Sequence, residues 1–172
     1  MGASRLKLTL ACGAILFGVS ETACHEVGTP AKELAVAEER LVAAANDFAQ
    51  GDATSWKALA SHGEDVTLFG GAGGQAKGWP AVGDRYTWAA AAFSGGSVKV
   101  EPLTRFADNS FAISVALEQW DVRFAKTGQT GTLKLRVTHV FRREGGSWRL
   151  VHRHADPLTT TREIDSVVHL NQ

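Results

Sequence analysis

The sequence lacks an excess of charge of either sign, and cysteine is missing from most of its length. Eighteen basic and eighteen acidic residues give a formal net charge of zero, so no basic surface for nucleic acid or anionic lipid is expected. Cys12 and Cys24 are both close to the N-terminus, which excludes a disulfide framework and a thiol nucleophile from the rest of the chain. The apolar run Leu8–Val19 is too short to cross a bilayer. No membrane span is predicted.

Motifs of several enzyme classes are missing as well. The nucleophile motif G-x-S-x-G does not occur, so nucleophilic hydrolysis is not expected. The glycine-rich segment Gly70–Gly74 lacks the Lys-Ser/Thr ending of phosphate-binding loops and the spacing of the dinucleotide fingerprint, and we interpret it as a turn. His152 and His154 have a spacing that can bind a metal on a strand, but the sequence offers no obvious third ligand. We therefore predict neither a metal site nor a cofactor.

Residues 1–28 have the pattern of a secretory signal. Arg5 and Lys7 precede the apolar run Leu8–Val19, and small and polar residues follow it up to Cys24. This pattern predicts an exported protein, periplasmic or extracellular, with Cys24 as a candidate lipid anchor. The alternative is a disordered N-terminal segment, in which case the protein is cytoplasmic.

Helical periodicity predicts three helices before the long strands. Ala31–Gln50 is rich in Ala, Glu and Leu, with apolar residues at helical spacing. Asp52 is a suitable N-cap for a short second helix that carries Trp56. A third helix begins at Gly78-Trp79-Pro80 and includes Tyr86 on its apolar face. These segments place the helices first in the chain.

Strand patterns dominate the second half. A brief strand, Val66–Phe69, is followed after the third helix by Val98–Phe106 and Asn109–Phe124. Thr130–Asp156 then predicts two long antiparallel strands joined by a turn at Gly145-Gly146. Helices first and antiparallel strands last predict an α+β domain with the helices on one face of a sheet. We expect this domain to span residues 29–158, followed by a polar tail, residues 159–172.

Strict alternation along the hairpin predicts which side chains face the helices. On the first strand this face carries Leu133, Leu135, Val137, His139 and Phe141. On the second strand it carries Trp148, Leu150, His152 and His154. A histidine within an otherwise apolar face is the strongest candidate for a functional residue in the sequence. We expect partial burial to tune the pKa of His139 near neutrality; the alternative is a core histidine bonded to a neighbour.

The order of the elements and the segment RVTHVFRREGGSWRLVHRH resemble the SnoaL-like group of the nuclear transport factor 2-like superfamily. The segment is also similar to the association domain of calcium/calmodulin-dependent kinase II. In both, a charged turn is followed by Trp, an aliphatic pair and His-x-His. The resemblance implies a cone-shaped curved antiparallel sheet around a cavity that the N-terminal helices close. It does not select one activity, because this fold serves isomerases, dehydratases, cyclases, epoxide hydrolases and assembly modules.

The resemblance also suggests roles for individual residues. His139 falls where the kinase association domain has a pocket arginine, whereas Leu117 falls where that domain has a second one. Ketosteroid isomerases use a tyrosine on the first helix, which is missing here, so that route is disfavoured. A scytalone dehydratase-like role for His139 would need an orienting carboxylate that the sequence does not identify.

These considerations define a candidate ligand pocket, with His139 as its candidate catalytic residue. The pocket is predicted to be lined by Trp56, Tyr86, Leu117, Gln119, Val137, His139 and His154. The predicted function is binding of a small, largely apolar molecule, with isomerase, dehydratase or cyclase-type acid–base chemistry as the candidate activity. The alternative is a non-catalytic dimerisation or accessory module. The sequence alone does not decide whether the protein is an enzyme.

A homodimer is predicted through the face of the sheet turned away from the helices. Alternation assigns a tryptophan and pairable charges to this outer face. The residues assigned to it are Glu118, Trp120, Arg136, Thr138 and Arg153.

Overall fold

The computed structural model describes residues 29–163. The predicted signal segment, residues 1–28, and most of the predicted polar tail lie outside them. Along the described chain the elements follow in the order α1 (Pro30–Ala49), α2 (Thr54–Leu59), β1 (Thr67–Phe69), β2 (Gln75–Lys77), α3 (Trp79–Ala90), β3 (Phe93–Ala107), β4 (Phe111–Phe124), β5 (Thr130–Glu144) and β6 (Ser147–Pro157). The α+β class and the order of helices before long strands are confirmed.

Local sequence explains where the first helix begins and ends. The Thr29 side chain accepts a hydrogen bond from the backbone N–H of Lys32, and Pro30 occupies the first turn, where its missing N–H costs nothing. Glu33 adds a negative charge near the positive end of the helix dipole. The chain leaves the helix at Gly51, whose φ of 99° favours glycine. A Cβ there would also lie 2.9 Å from the Phe93 carbonyl oxygen.

The six strands form one sheet in the order β2-β1-β6-β5-β4-β3. Neighbouring strands in the sheet are antiparallel, except for the pair β1 and β6, which is parallel. The sheet is therefore mixed rather than wholly antiparallel, and the expected antiparallel arrangement is correct for the four long strands. Strand β2 was not predicted, because Gln75–Lys77 is short and follows the glycine-rich turn.

The core lies between the helices and one face of the long strands. Helix α1 contributes Leu34, Leu41 and Phe48, α2 contributes Trp56, and α3 contributes Val82 and Tyr86, all of them buried. None of the helices in residues 29–163 is long and apolar enough to cross a membrane.

An irregularity in the β5–β6 hairpin changes which residues of β6 face the core. Val140 pairs with His152 whereas Phe141 pairs with Leu150, so β6 carries one extra residue, Val151. An extra residue of this kind is a β-bulge, and it reverses the alternation of side chains beyond it. The bulge directs Arg153 toward the helices.

Candidate functional site

A buried glutamate, arginine and histidine meet on the inner face of the sheet. Arg153 of β6 lies opposite His139 of β5, which in turn lies opposite Ser114 of β4. Glu118 projects from the same face of β4, two inward positions further along. Glu118, His139 and Arg153 are 3%, 4% and 6% exposed. We refer to these three residues as the Glu118–Arg153–His139 cluster.

Hydrogen bonds tie the cluster together with good geometry. The Arg153 guanidinium donates from Nη1 to Glu118 Oε1 at 2.9 Å and from Nη2 to Glu118 Oε2 at 2.7 Å, a two-pronged ion pair. The same Nη1 lies 2.6 Å from His139 Nε2. Since arginine can only donate, His139 Nε2 is the acceptor of this bond. The hydrogen of the neutral imidazole ring is therefore assigned to Nδ1. The indole N–H of Trp120 donates to Glu118 Oε2 at 2.8 Å.

The charges of the cluster fix its protonation states. Burial alone would raise the pKa of Glu118, but attraction to Arg153 and the bonds that Arg153 and Trp120 donate outweigh it and lower the pKa to about 2. Burial, reinforced by repulsion from Arg153, lowers the pKa of His139 to about 3. At neutral pH the cluster is thus an ionised pair beside a neutral imidazole. The expectation that His139 titrates near neutrality is wrong, because the ring is buried completely rather than partly and a cation also lies against it.

A cavity opens on the arginine side of the cluster. It has a volume of about 120 Å³ and lies among α2, α3, the glycine-rich loop and the inner face of the sheet. Its walls are mainly apolar and aromatic, and they include Phe48, Trp56, Leu68, Tyr86, Phe93 and Leu133. Arg153 and Arg85 are its two charged lining residues. We call this space the first cavity.

The loop at this cavity depends on glycine. A Cβ on Gly71 would lie 2.9 Å from Cδ2 of Leu135, so only glycine fits without displacing that side chain. Arg85 donates from Nη2 to the Gly73 carbonyl oxygen at 2.8 Å and lies 4.0 Å from the centre of the Trp88 ring. The loop and α3 are therefore joined at the cavity rim by a cation. The glycine-rich segment does serve as a turn between β1 and β2.

The structure brings together some of the predicted pocket residues and separates others. Trp56 and Tyr86 line the first cavity, with their rings 6.0 Å apart. The His139 ring lies 6.3 Å from the Trp56 ring. It does not line the first cavity but a second one, which lies on the other side of the Glu118–Arg153–His139 cluster. Val137 points inward, as predicted, and is part of the packed core.

Three predicted pocket residues lie on the opposite face of the sheet. Leu117 and Gln119 alternate with the buried residues Glu118 and Trp120, so they point away from the helices. His154 lies beyond the bulge, and its half-exposed side chain contacts Asp156 at 3.1 Å on the outer face. The inclusion of these three in the pocket is corrected by the structure.

The outer face is corrected in the same way. Glu118, Trp120 and Arg153 were assigned to it, yet all three are buried on the inner face. Of the predicted set only Arg136 and Thr138 point outward. The inward face of β4 was predicted wrongly because its outward residues are more apolar than its inward ones. These outward residues are Phe111, Ile113, Val115 and Leu117. A usable signal was present in Ala112, Ser114 and Ala116, since small side chains let a helix approach a sheet closely.

His152 and His154 do not form part of a metal centre in the described structure. Within residues 29–163 no group of three or more histidine, cysteine or acidic side chains is arranged to hold a metal ion. The Nδ1 atom of His152 lies 2.8 Å from the Thr67 hydroxyl, which gives that ring a structural partner between β6 and β1.

Comparisons with known proteins agree with this fold. The family model described as a SnoaL-like domain matches residues 37–159. No curated protein matches the chain. Among solved structures, a proposed dehydratase of the nuclear transport factor 2-like family from Streptomyces avermitilis shares 16% identity, with a TM-score of 0.66, covering 76% of this chain and 98% of that one.

Two further solved structures are similar to a comparable extent. A ketosteroid isomerase-like protein from Erwinia carotovora atroseptica shares 18% identity over 75% of this chain and 98% of that one, with a TM-score of 0.62. A proposed calcium/calmodulin-dependent protein kinase type II association domain from Thiobacillus denitrificans shares 21% identity over 76% and 96%, with a TM-score of 0.60. At these identities the similarity shows the fold alone.

Proposed function

The chain belongs to the SnoaL-like domain family, and on that premise we propose that its first cavity binds a small, largely apolar molecule that carries one hydrogen-bond acceptor. The observation that carries this proposal is an apolar, aromatic space whose inner end is formed by a single buried cation, Arg153. Sites of this composition bind a ligand mainly through apolar contacts, and a few polar groups fix the orientation of the ligand.

The guanidinium of Arg153 has two N–H groups that remain available to a ligand. Three of the five N–H groups of its guanidinium are used in the bonds to Glu118 and His139. In residues 29–163 no other hydrogen bond to this guanidinium is found, and the side chain lines the first cavity. A carbonyl or carboxylate oxygen is the complementary group. Arg85 at the rim adds a second positive charge, so an organic acid is the favoured form of the ligand.

The protonation states favour binding over acid–base chemistry by His139. Its pKa of about 3 leaves it neutral, and its Nε2 lone pair already accepts from Arg153. A group in this state neither gives a proton at neutral pH nor has a lone pair free to take one. Burial raises the pKa of the Tyr86 hydroxyl, so Tyr86 also stays neutral and can serve as a hydrogen-bond donor.

Filling the first cavity should weaken ligand binding without unfolding the protein. Ala89 is a half-buried residue of α3 that lines the cavity. With 2-naphthoate as the probe, Ala89→Phe is expected to weaken binding at least tenfold, measured by isothermal titration calorimetry. Ala81→Phe, at an exposed position of the same helix, is the matched control and should bind as the parent does. Absence of 2-naphthoate binding to the parent, or equal binding to both variants, would contradict the proposal.

A specific observation also favours the dimerisation alternative. Phe106, Phe111 and Ile113 lie side by side on the outer face of β3 and β4 and are 62%, 49% and 38% exposed. A contiguous apolar face of this kind on a sheet is typical of an interface. We propose that it pairs with a second copy of the chain through these three residues, none of which belongs to the set predicted for the contact from the sequence. Dimerisation and ligand binding are compatible, because they use opposite faces of the sheet.

A charge placed at the centre of that face should separate the copies. Ile113→Glu is expected to convert the dimer to a monomer, because a carboxylate without a partner is costly to bury. Val36→Glu, at an exposed apolar position on α1, is the control and should remain dimeric. Multi-angle light scattering at micromolar concentrations measures both. A parent protein that is monomeric over this range would refute the interface.

A further inference from the structure

A second and larger cavity lies on the other side of the Glu118–Arg153–His139 cluster. It has a volume of about 360 Å³ and is lined mainly by α1 and the inner faces of β3, β4 and β5. Trp56 lines both cavities. The buried ion pair is shared between them, since Arg153 lines the first cavity whereas Glu118 lines the second. The two spaces therefore differ in the chemistry that they present.

The second cavity combines apolar walls with three buried polar side chains at its inner end. Leu41 and Val100 belong to the walls, whereas Ser114, Glu118 and His139 are each at least nine-tenths buried and line the same space. Within residues 29–163 the Ser114 hydroxyl has no hydrogen-bond partner. Neither is a partner found among them for the Nδ1–H of His139. Neither of these two atoms is fully enclosed, so both are open to a ligand or to water in the cavity.

The carboxylate of Glu118 has one acceptor site left. Its Oε2 accepts from both Arg153 and Trp120, whereas Oε1 accepts only from Arg153 in the described structure. The inner end of the cavity thus offers a charged acceptor in Glu118 and a neutral donor in His139. Ser114, the neighbour of His139 on β4, can act as either donor or acceptor.

The mouth of the second cavity carries more negative than positive charge. Glu38 of α1 pairs with Arg105 of β3 across it, and Glu39 lies exposed beside them. Because Arg105 offsets only one of these two carboxylates, the mouth disfavours the entry of an anion. The first cavity has the opposite character, because both of its charged lining residues are arginines.

From this arrangement we infer that the second cavity is a separate binding site for a small neutral alcohol with an apolar body. The hydroxyl group donates to Oε1 of Glu118 and accepts from the Nδ1–H of His139, with Ser114 completing its hydrogen bonds. The apolar body lies against the wall formed by α1 and β3. No covalent step is involved. The site neither requires nor excludes an occupied first cavity.

Benzyl alcohol, toluene and benzoate form a matched set of probes, since they share a ring and differ in the polar group. Protein-observed NMR titration of the full chain should show benzyl alcohol shifting amides of α1 and of Val100–Arg105. Toluene should bind at least threefold more weakly, and benzoate should leave these amides unmoved. Benzyl alcohol shifting only amides of the first cavity, such as those of Gly70–Ala72, would overturn the inference, as would shifts of the second-cavity amides by benzoate.

Variants separate this site from the one proposed above. Ala35→Phe, at a half-buried position lining the second cavity, should weaken benzyl alcohol binding at least tenfold and leave 2-naphthoate binding unchanged. Ala43→Phe, exposed on the same helix, should bind both as the parent does. Ser114→Ala should reduce benzyl alcohol binding severalfold without affecting toluene. Full benzyl alcohol binding in Ala35→Phe refutes the second site whatever 2-naphthoate does, and Ala89→Phe tests the first cavity independently.

Discussion

Arg153→Met is expected to lower the free energy of unfolding by about 3–5 kcal/mol, because it leaves the carboxylate of Glu118 buried without its partner. Glu118 would then retain only the bond from Trp120 among those that now hold its charge. The neutral imidazole of His139 would lose the donor that faces it. Urea denaturation at pH 7, followed by tryptophan fluorescence and by circular dichroism, measures this loss.

The matched control for this substitution is Arg136→Met. Arg136 lies on the outer face of β5, is 58% exposed and approaches Asp156 only to 3.7 Å. Such surface pairs contribute about 0–1 kcal/mol, so this variant should remain within that range of the parent. The double variant Glu118→Leu/Arg153→Met should recover much of the lost stability, because no unpaired charge remains. A single variant Arg153→Met as stable as the parent would mean that the burial of Glu118 does not depend on its ion pair with Arg153.

The course of the helices and long strands could be predicted because their local signals agree with the tertiary structure. Thr29 and Pro30 begin α1 as their capping preferences dictate, and Gly145-Gly146 forms the turn of the long hairpin with φ values of 54° and 80°. The apolar alternation of β5 also held, so that Val137 and His139 are inward as predicted. In each case neighbouring residues alone decide the outcome.

The site could not be predicted in the same way, because it depends on an insertion that local alternation does not reveal. Val151 adds one residue to β6, and every side chain beyond it changes face. Arg153 thereby replaces His154 on the inner side. Glu118 is then acceptable in the core only because the guanidinium of Arg153 reaches its carboxylate, so each of the two charges is explained by the other. A sequence read strand by strand assigns both to solvent, as the usual cost of burying a charge suggests.

Acid should destabilise the protein from a pH well above the range in which ordinary carboxylates titrate, and His139 should be the main reason. The ordinary pKa of histidine is 6.5 and that of His139 in the fold is about 3. Between these values the unfolded chain binds a proton that the folded chain does not. The stability contributed by the neutral ring is therefore complete above pH 6.5 and is lost as pH falls toward 3, at up to about 1.4 kcal/mol per pH unit.

His139→Gln isolates this contribution, because the glutamine amide oxygen can accept the bond from Arg153 while the side chain has no charge to gain. The parent should lose roughly 2 kcal/mol between pH 6.5 and pH 5, and the variant should lose much less over the same interval. His154→Gln, which alters a half-exposed histidine on the outer face, should retain the slope of the parent. Below pH 4.5 all three proteins should become less stable, since the pKa of Glu118 is held at about 2 in the fold and protonation then favours the unfolded chain. Chemical denaturation at half-unit pH intervals gives the slopes. If the slope of His139→Gln between pH 6.5 and pH 5 equals that of the parent, His139 is not the neutral acceptor for Arg153 that its position in the cluster requires.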